Sequence, residues 1–224
     1  MPRDTFDKKI QQIKDEILLL GSMVEQATLD SVAAFKNRDM KASHQVIEDD
    51  QAINDKRFAI ENAILILFAT QQPLAHDLRL LAAMLIVANE LERMGDYAKG
   101  ISNSTIRLGT TEIPMPVQEV EKMGELSVSM LHRALSAFVN EDMEQAVKIP
   151  HEDDQVDDLF NMAYRSIVNS MIANPASIDD ASFLLWIVHN LERLADRVTN
   201  ICERTVFIIS GEMFEMDSSD DENF

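Results

Sequence analysis

A pair of acidic residues spaced one helical turn apart occurs twice in this chain. Each pair lies in a six-residue phrase, and the second phrase follows the first after 100 residues. Residues 91–96 read Leu-Glu-Arg-Met-Gly-Asp, and residues 191–196 read Leu-Glu-Arg-Leu-Ala-Asp. On a helix, Glu92 shares a face with Asp96, and Glu192 shares a face with Asp196. Like charges at this spacing repel each other, and a hard cation with oxygen ligands relieves that repulsion. The two pairs are therefore candidate metal ligands.

A second set of oxygen-bearing side chains has the same spacing and lies earlier in each half of the chain. Asp50 lies four residues before Asn54, and Asp154 lies four residues before Asp158. If these residues lie on helices antiparallel to the helices of the Glu/Asp pairs, the two sets converge. Oxygen donors of this kind suit hard or borderline ions such as iron, manganese, magnesium or zinc.

The helical period places each Glu/Asp pair where an apolar face ends. That face carries apolar residues first and acids afterwards: Leu81, Leu85, Ala88, Glu92 and Asp96 in one half, and Leu185, Val188, Glu192 and Asp196 in the other. A carboxylate at the edge of a core is costly unless it is paired, which favours metal binding. Two alternatives stay open. The acids form a solvated helix face, or Arg93 and Arg193 neutralise them in salt bridges.

The chain is an internal duplication. Residues 34–40 match residues 137–143, residues 48–51 (Glu-Asp-Asp-Gln) match residues 152–155, and the Leu-Glu-Arg phrase recurs as described. The three offsets are 103, 104 and 100 residues, so the order of the blocks is kept. This pattern predicts two copies of one unit, separated by short insertions.

Each copy is predicted to contain three long helices. They span about residues 5–37, 40–70 and 76–108 in the first copy, and about 117–139, 143–172 and 178–210 in the second. Helix starts are expected at Asp39, as an N-cap, and at Ser177, which forms a capping box with Asp180. Pro150 lies inside the predicted fifth helix, where it should produce a kink.

The predicted fold class is all-α, with two tandem three-helix bundles. The first repeat covers residues 1–110, and the second covers 117–210. Pro114 and Pro116 make residues 111–116 a linker, because prolines spaced in this way do not continue a helix. The acidic tail, residues 211–224, is expected to be disordered. Long helices with apolar seams are compatible with a homodimer.

Charge and composition narrow the function. A formal net charge of -19 argues against nucleic acid as a partner and favours a basic protein surface or a polyvalent cation. The N-terminus lacks the apolar segment of a signal peptide, and the longest apolar run, Leu80–Ala88, is too short to span a membrane. A cytoplasmic protein without membrane insertion is expected. The single cysteine, Cys202, lies among apolar residues and is expected to be buried.

The chain is not expected to be an enzyme. None of its five histidines has a glutamate three residues before it, so the Glu-x-x-His signature of di-iron oxidases is missing. Phosphate-binding glycine loops and nucleophile elbows are also missing from the sequence. A metal-dependent carboxylate enzyme, either an oxidase or a phosphohydrolase, is the alternative. A helical scaffold without metal is a third interpretation.

Several of these segments together resemble the PhoU family of phosphate-transport regulators. The duplicated Leu-Glu-Arg-Met/Leu-Gly/Ala-Asp phrase is one of them. Residues 72–80 (Gln-Pro-Leu-Ala-His-Asp-Leu-Arg-Leu) and 46–50 (Val-Ile-Glu-Asp-Asp) resemble further family segments. The similarity covers about residues 10–208. It implies two three-helix bundles related by pseudo-twofold symmetry.

The resemblance also implies a function and a set of ligands. Members of this family carry multinuclear iron or zinc clusters on Glu/Asp-x-x-x-Asp motifs, which correspond here to Glu92 with Asp96, Glu192 with Asp196, and Asp154 with Asp158. Asn54 departs from the pattern beside Asp50, so the first cluster is expected to be the weaker one. The implied partners are the ATPase of the phosphate ABC transporter and a sensor histidine kinase. The implied role is repression of phosphate uptake and of phosphate-starvation signalling, unless the chain is a paralogue that serves another transporter.

Overall fold

The computed structural model describes residues 3–213 and 215–216, and every regular element in that part of the chain is helical. The helices are α1 (Arg3–Asn37), α2 (Met40–Gln71), α3 (His76–Leu108), α4 (Val117–Asn140), α5 (Met143–Lys148), α6 (Asp153–Ala173) and α7 (Ile178–Ser210). The predicted all-α class is confirmed. Of the acidic tail predicted to be disordered, residues 214 and 217–224 lie outside the described part of the chain.

The first turn of each copy shows the internal repeat most directly. Arg38 directly follows α1 and has a φ of 51°, and Glu141 directly follows α4 and has a φ of 55°. The next residue caps the following helix in both copies. Asp39 accepts hydrogen bonds from the amides of Lys41 (2.9 Å) and Ala42 (3.0 Å), and Asp142 accepts one from Gln145. Both caps satisfy amides that have no partner in the first helical turn.

The predicted fifth helix, residues 143–172, is divided in two. Pro150 has no N–H for the helical ladder, and a 3₁₀-helical turn, Ile149–Glu152, separates α5 from α6. The expected kink is therefore a break. Arg133 of α4 holds this turn, because its guanidinium donates two hydrogen bonds of 2.6 Å to the carboxylate of Glu152.

The predicted capping box at Ser177 is wrong. The Ser177 hydroxyl donates a hydrogen bond of 2.8 Å to the carbonyl of Asn174 and makes no capping bond to α7. A 3₁₀-helical turn, Pro175–Ser177, leads directly into α7 and leaves Ser177 with a ψ of 5°. An N-cap residue normally has an extended backbone, which this turn prevents.

The core lies along α3 and α7, which pack against each other more extensively than any other pair of helices. Both apolar stripes are buried: Met84, Val87, Leu91, Met94, Ala98, Ile101, Thr105 and Leu108 on α3, and Leu184, Ile187, Leu191, Leu194, Val198, Ile201, Thr205 and Ile208 on α7. Glu90 of α3 accepts hydrogen bonds from Arg197 (3.4 Å) and Asn200 (3.3 Å) of α7. Gly100 lies against Asn190, the residue of α7 that corresponds to Glu90. These paired contacts relate the two copies by a pseudo-twofold axis.

α1 is a core helix, although its composition resembles that of a membrane span. A window of 18 residues within Asp4–Asn37 is long and apolar enough to cross a membrane, and 44% of that window is buried inside the bundle. Ile13, Ile17 and Leu20 are among the buried residues. The apolar side of α1 contacts α2, α3 and α4, so packing within the protein accounts for it.

Candidate functional site

In the first copy, the acids of α2 and α3 converge as the sequence predicted. The carboxylate of Asp50 on α2 is only 4% exposed. Its Oδ2 atom accepts a hydrogen bond of 2.6 Å from Lys99 Nζ on α3 and one of 3.1 Å from Asn54 Nδ2. Gly95 allows the two helices to approach here, because a Cβ atom at that position would lie 3.1 Å from Ile53.

Glu92 and Asp96 extend this group towards solvent. They line an open cleft of about 360 Å³ together with Arg93 and Tyr97. The pKa of Asp96 is raised, first because partial burial disfavours its charge and second because Asp50 is close. Lys99 and Arg93 act in the opposite direction on Asp96. We call Asp50, Asn54, Glu92 and Asp96 the copy-one site.

The structure buries a different pair of aspartates on α6 from the predicted pair, Asp154 and Asp158. Asp153 is 6% exposed and Asp157 is half-buried, whereas Asp154 and Asp158 are exposed. Asp153 and Asp157 therefore occupy in α6 the positions that Asp50 and Asn54 occupy in α2. Asp154 and Asp158 lie about 100° round the helix from them, on the solvent side.

The alignment of the two Glu-Asp-Asp-Gln segments explains this difference. It has an offset of 104 residues, whereas the buried positions repeat at an offset of 103, as do the N-caps Asp39 and Asp142. The buried pairs are Val46 with Ile149, Asp50 with Asp153, Ile53 with Val156, and Ile60 with Ala163. No insertion separates these blocks, and a register shift of one residue turns a helix face by about 100°.

The matching acids of α7 are Glu192 and Asp196. Glu192 is buried, at 7% exposure, and Asp196 is half-buried. Arg193 Nη1 lies 3.1 Å from Asp196 Oδ2, and Arg193 Nε lies 3.8 Å from Glu192 Oε2. The salt bridges considered as an alternative therefore exist here. We call Asp153, Asp157, Glu192 and Asp196 the copy-two site, and α6 packs directly on α7.

A histidine that the sequence argument passed over lies beside this site. His189 Nδ1 is 3.4 Å from Glu192 Oε2. The pKa of His189 is lowered, chiefly because burial disfavours the charged ring and also because of Arg193, while Asp196 opposes the shift. Neutral imidazole is the form that binds metals. The spacing of His189 and Glu192, three residues apart on one helix, was the available signal. His151, by contrast, is exposed.

Lys99 is the second residue that the sequence argument missed. Its counterpart in copy two is Thr199, which is 6% exposed. The Thr199 hydroxyl has no hydrogen-bond partner within the described residues. Thr199 lies three residues after Asp196, on the same helix face. The two copies thus place an ammonium group and a small hydroxyl at equivalent positions.

The two donor sets differ in how well they fit a metal ion. As the side chains stand, no three His, Cys, Asp or Glu residues among those described are arranged to hold one ion. Copy two nevertheless offers four carboxylates and the buried oxygen of Thr199, and oxygen donors are the ligands that hard cations prefer. Copy one fits less well, because the ammonium group of Lys99 has no lone pair to give a metal and already binds Oδ2 of Asp50.

The comparisons with known proteins agree with this architecture. The model of the PhoU domain matches the chain twice, over residues 17–105 and 120–205. Each match covers most of one three-helix copy. The chain belongs to the PhoU family, which confirms the resemblance seen in the sequence.

Relatives of similar length match over nearly the whole chain. The "Phosphate-specific transport system accessory protein PhoU homolog" of Clostridium acetobutylicum is 31% identical over 217 residues, which are 96% of this chain and 99% of that protein. The Escherichia coli protein PhoU is 31% identical, and the match covers 93% of this chain and 87% of that protein. The crystal structure of PhoU from Streptococcus pneumoniae superimposes with a TM-score of 0.87 at 30% identity, over 94% of this chain and 100% of that one. PhoU from Pseudomonas aeruginosa gives the same TM-score, over 92% of this chain and 100% of that one.

Proposed function

We propose that this protein is a cytoplasmic, non-enzymatic negative regulator of phosphate uptake and of phosphate-starvation signalling. The observation that carries the proposal is the match of two PhoU domains across both copies, with the same fold as solved PhoU structures. Relatives of nearly equal length are described as accessory proteins of the phosphate-specific transport system. The match covers 99% of the Clostridium acetobutylicum relative and 87% of the Escherichia coli relative.

The proposed partners are the ATPase of the phosphate ABC transporter and a sensor histidine kinase. A net charge of -19 supports docking on basic protein surfaces, because it steers such partners at long range. The long outer faces of the helices provide an extended surface for such contacts. A homodimer is part of the same proposal, and light scattering of the purified protein measures it directly.

We further propose that the copy-two site binds iron or zinc, with magnesium or manganese as alternative ions. Buried acids such as Asp153 and Glu192 support this proposal, because carboxylates at the edge of an apolar core are costly and oxygen donors of this kind suit a hard cation. The ion would hold α6 and α7 together, and it could report metal or phosphate status. Elemental analysis of protein purified without a His-tag or chelators tests the proposal.

Deletion of the gene in its host tests the regulatory role. The deletion should cause alkaline phosphatase to be expressed in phosphate-rich medium, and the wild-type gene supplied in trans should restore repression. Repression that persists in the deletion strain would contradict the proposed function. Turnover of peroxide or of a phosphoester by metal-loaded protein, lost on Glu92→Gln, would instead support the enzyme alternative.

Co-purification identifies the partner. The untagged protein should be recovered with the transporter ATPase or the kinase, and the amount recovered should depend on the phosphate supply. Recovery with the ATPase of a different transporter would identify the chain as a paralogue. Because −19 is a large charge, the interaction should weaken as the salt concentration rises.

A further inference from the structure

Lys99 gives the copy-one site a positive charge at the position where the copy-two site has Thr199. Lys99 Nζ lies 2.6 Å from Asp50 Oδ2, which is a short, charge-assisted hydrogen bond. Asn54 donates to the same oxygen at 3.1 Å. Asp50 Oδ2 thus accepts from two donors already, so a metal ion would have to displace one of them or bind at Oδ1, which has no hydrogen-bond partner within the described residues.

Two differences between the copies coincide at this one site. Asn54 stands where copy two has Asp157, and Lys99 stands where copy two has Thr199. Each difference makes copy one more positive by one unit of charge. Together they supply the charge of one divalent cation, whereas the other acids, Asp50, Glu92 and Asp96, keep acidic counterparts in copy two. The amide of Asn54 and the ammonium group of Lys99 therefore remove the excess negative charge that a metal ion would otherwise neutralise.

We infer that Lys99 is the built-in cation of the copy-one site, and that this chain therefore holds metal in the copy-two site alone. The inference deepens the proposed function and rests on it for copy two. Lys99 bridges α3 to Asp50 of α2 and so makes the contact between helices that an ion would make in copy two. A metal ion entering copy one would lie beside the ammonium group, and the two like charges would repel each other.

The inference is tested by measuring the metal content of variants in which one of the two sites is blocked by substitution. Purified variants are stripped with chelator, incubated with Zn²⁺ or, without oxygen, with Fe²⁺, desalted and analysed for metal. Glu192→Gln with Asp196→Asn should reduce the metal content to background, while Glu92→Gln with Asp96→Asn should leave it at the wild-type level. These isosteric changes preserve shape, and circular dichroism checks the fold.

The decisive variant gives copy one the residues of copy two. Asn54→Asp with Lys99→Thr, introduced into the protein whose copy-two site is blocked, should restore metal binding. The inference is overturned if blocking copy two leaves metal bound, or if blocking copy one removes as much metal as blocking copy two. It is also overturned if the converted copy-one site stays empty while copy two binds metal normally.

A stability measurement tests the role of Lys99 independently of metal binding. If the wild-type protein binds no metal, the proposed metal site is refuted, but the proposed role of Lys99 can still be tested. In chelator, Lys99→Met should lower Tm by about 5 °C, because it leaves the buried carboxylate of Asp50 without its cation. Lys122→Met, which removes an exposed lysine with a 3.4 Å contact to Glu125, is the matched control. Adding Asp50→Asn to Lys99→Met should recover most of the loss. Equal Tm values for the two lysine variants would overturn the role of Lys99.

Discussion

The guanidinium of Arg133 on α4 lies against the carboxylate of Glu152, with both N–H···O distances at 2.6 Å. Glu152 is the last residue of the 3₁₀-helical turn and immediately precedes Asp153, the buried acid of the copy-two site. This ion pair therefore anchors the point at which α6 begins. The backbone break at Pro150 and the side chain of Arg133 together set which aspartate of α6 is buried.

Glu152→Gln should destabilise the protein by about 1 kcal/mol near neutral pH, because the bidentate ion pair becomes a weaker neutral contact. The hydrogen bond from Arg133 lowers the pKa of Glu152 below 4.5 despite partial burial. Because the pKa of Glu152 is lower in the folded state than in the unfolded state, the ion pair stabilises the fold at pH values above the unfolded-state pKa. This stabilisation is lost as the pH falls through the folded-state pKa. Urea denaturation near neutral pH and at about pH 3.5 should show the difference shrinking in acid. The exposed pair of Lys148 with Glu144 provides the control, Glu144→Gln, and an unchanged difference in acid would argue against this account.

Gly21→Ala should destabilise the protein by about 1–3 kcal/mol, through overpacking. A Cβ atom at Gly21 would lie 2.1 Å from Leu135 Cδ1, where α1 and α4 of the two copies meet. Thermal or urea unfolding measures the change. Ser22→Ala, at the exposed neighbouring position, should have little effect. Equal stability of the two variants would show that the Leu135 side chain rotates away at no cost and that this contact is not overpacked.

Asp153→Asn should reduce the metal content of the purified protein, whereas Asp154→Asn should leave it at the wild-type level. The physical reason is the direction of the two side chains, because Asp153 is buried and Asp154 is exposed. Elemental analysis after loading with Zn²⁺ compares the two neighbouring variants, which have the same charge. A loss confined to Asp154→Asn would restore the original assignment from sequence.

Cys202 should not react with a thiol-specific disulfide reagent in the folded protein. Its side chain is fully buried, as the sequence predicted, and burial raises the pKa of the thiol to about 12. The reactive thiolate is therefore scarce at neutral and moderately alkaline pH. The same reagent in concentrated guanidinium chloride should titrate one thiol per chain. Rapid labelling of the folded protein would contradict the burial of Cys202.

The sequence alone determined the duplication, the helical class and most helix ends. Asp39 was recognised as a cap because its oxygen can accept amides that the first turn leaves unsatisfied, and that chemistry is local. The stripes that run from Met84 to Leu108 and from Leu184 to Ile208 were also recognisable, since each lies on one straight helix with one period. Family membership followed from the same repeated segments.

Only the tertiary structure decided which residues meet at the two sites. Asp153 and Asp154 are adjacent and chemically identical. Which of the two is buried depends on the rotational phase of α6 after the break at Pro150, because a shift of one residue turns a helix face by about 100°. Lys99 is one lysine among many in the sequence. Its contact with Asp50 joins residues 49 positions apart, and no helical period encodes a contact between helices. The repeated Glu/Asp segment thus located two clusters of acids, while packing brought Lys99 against the buried carboxylate of one of them.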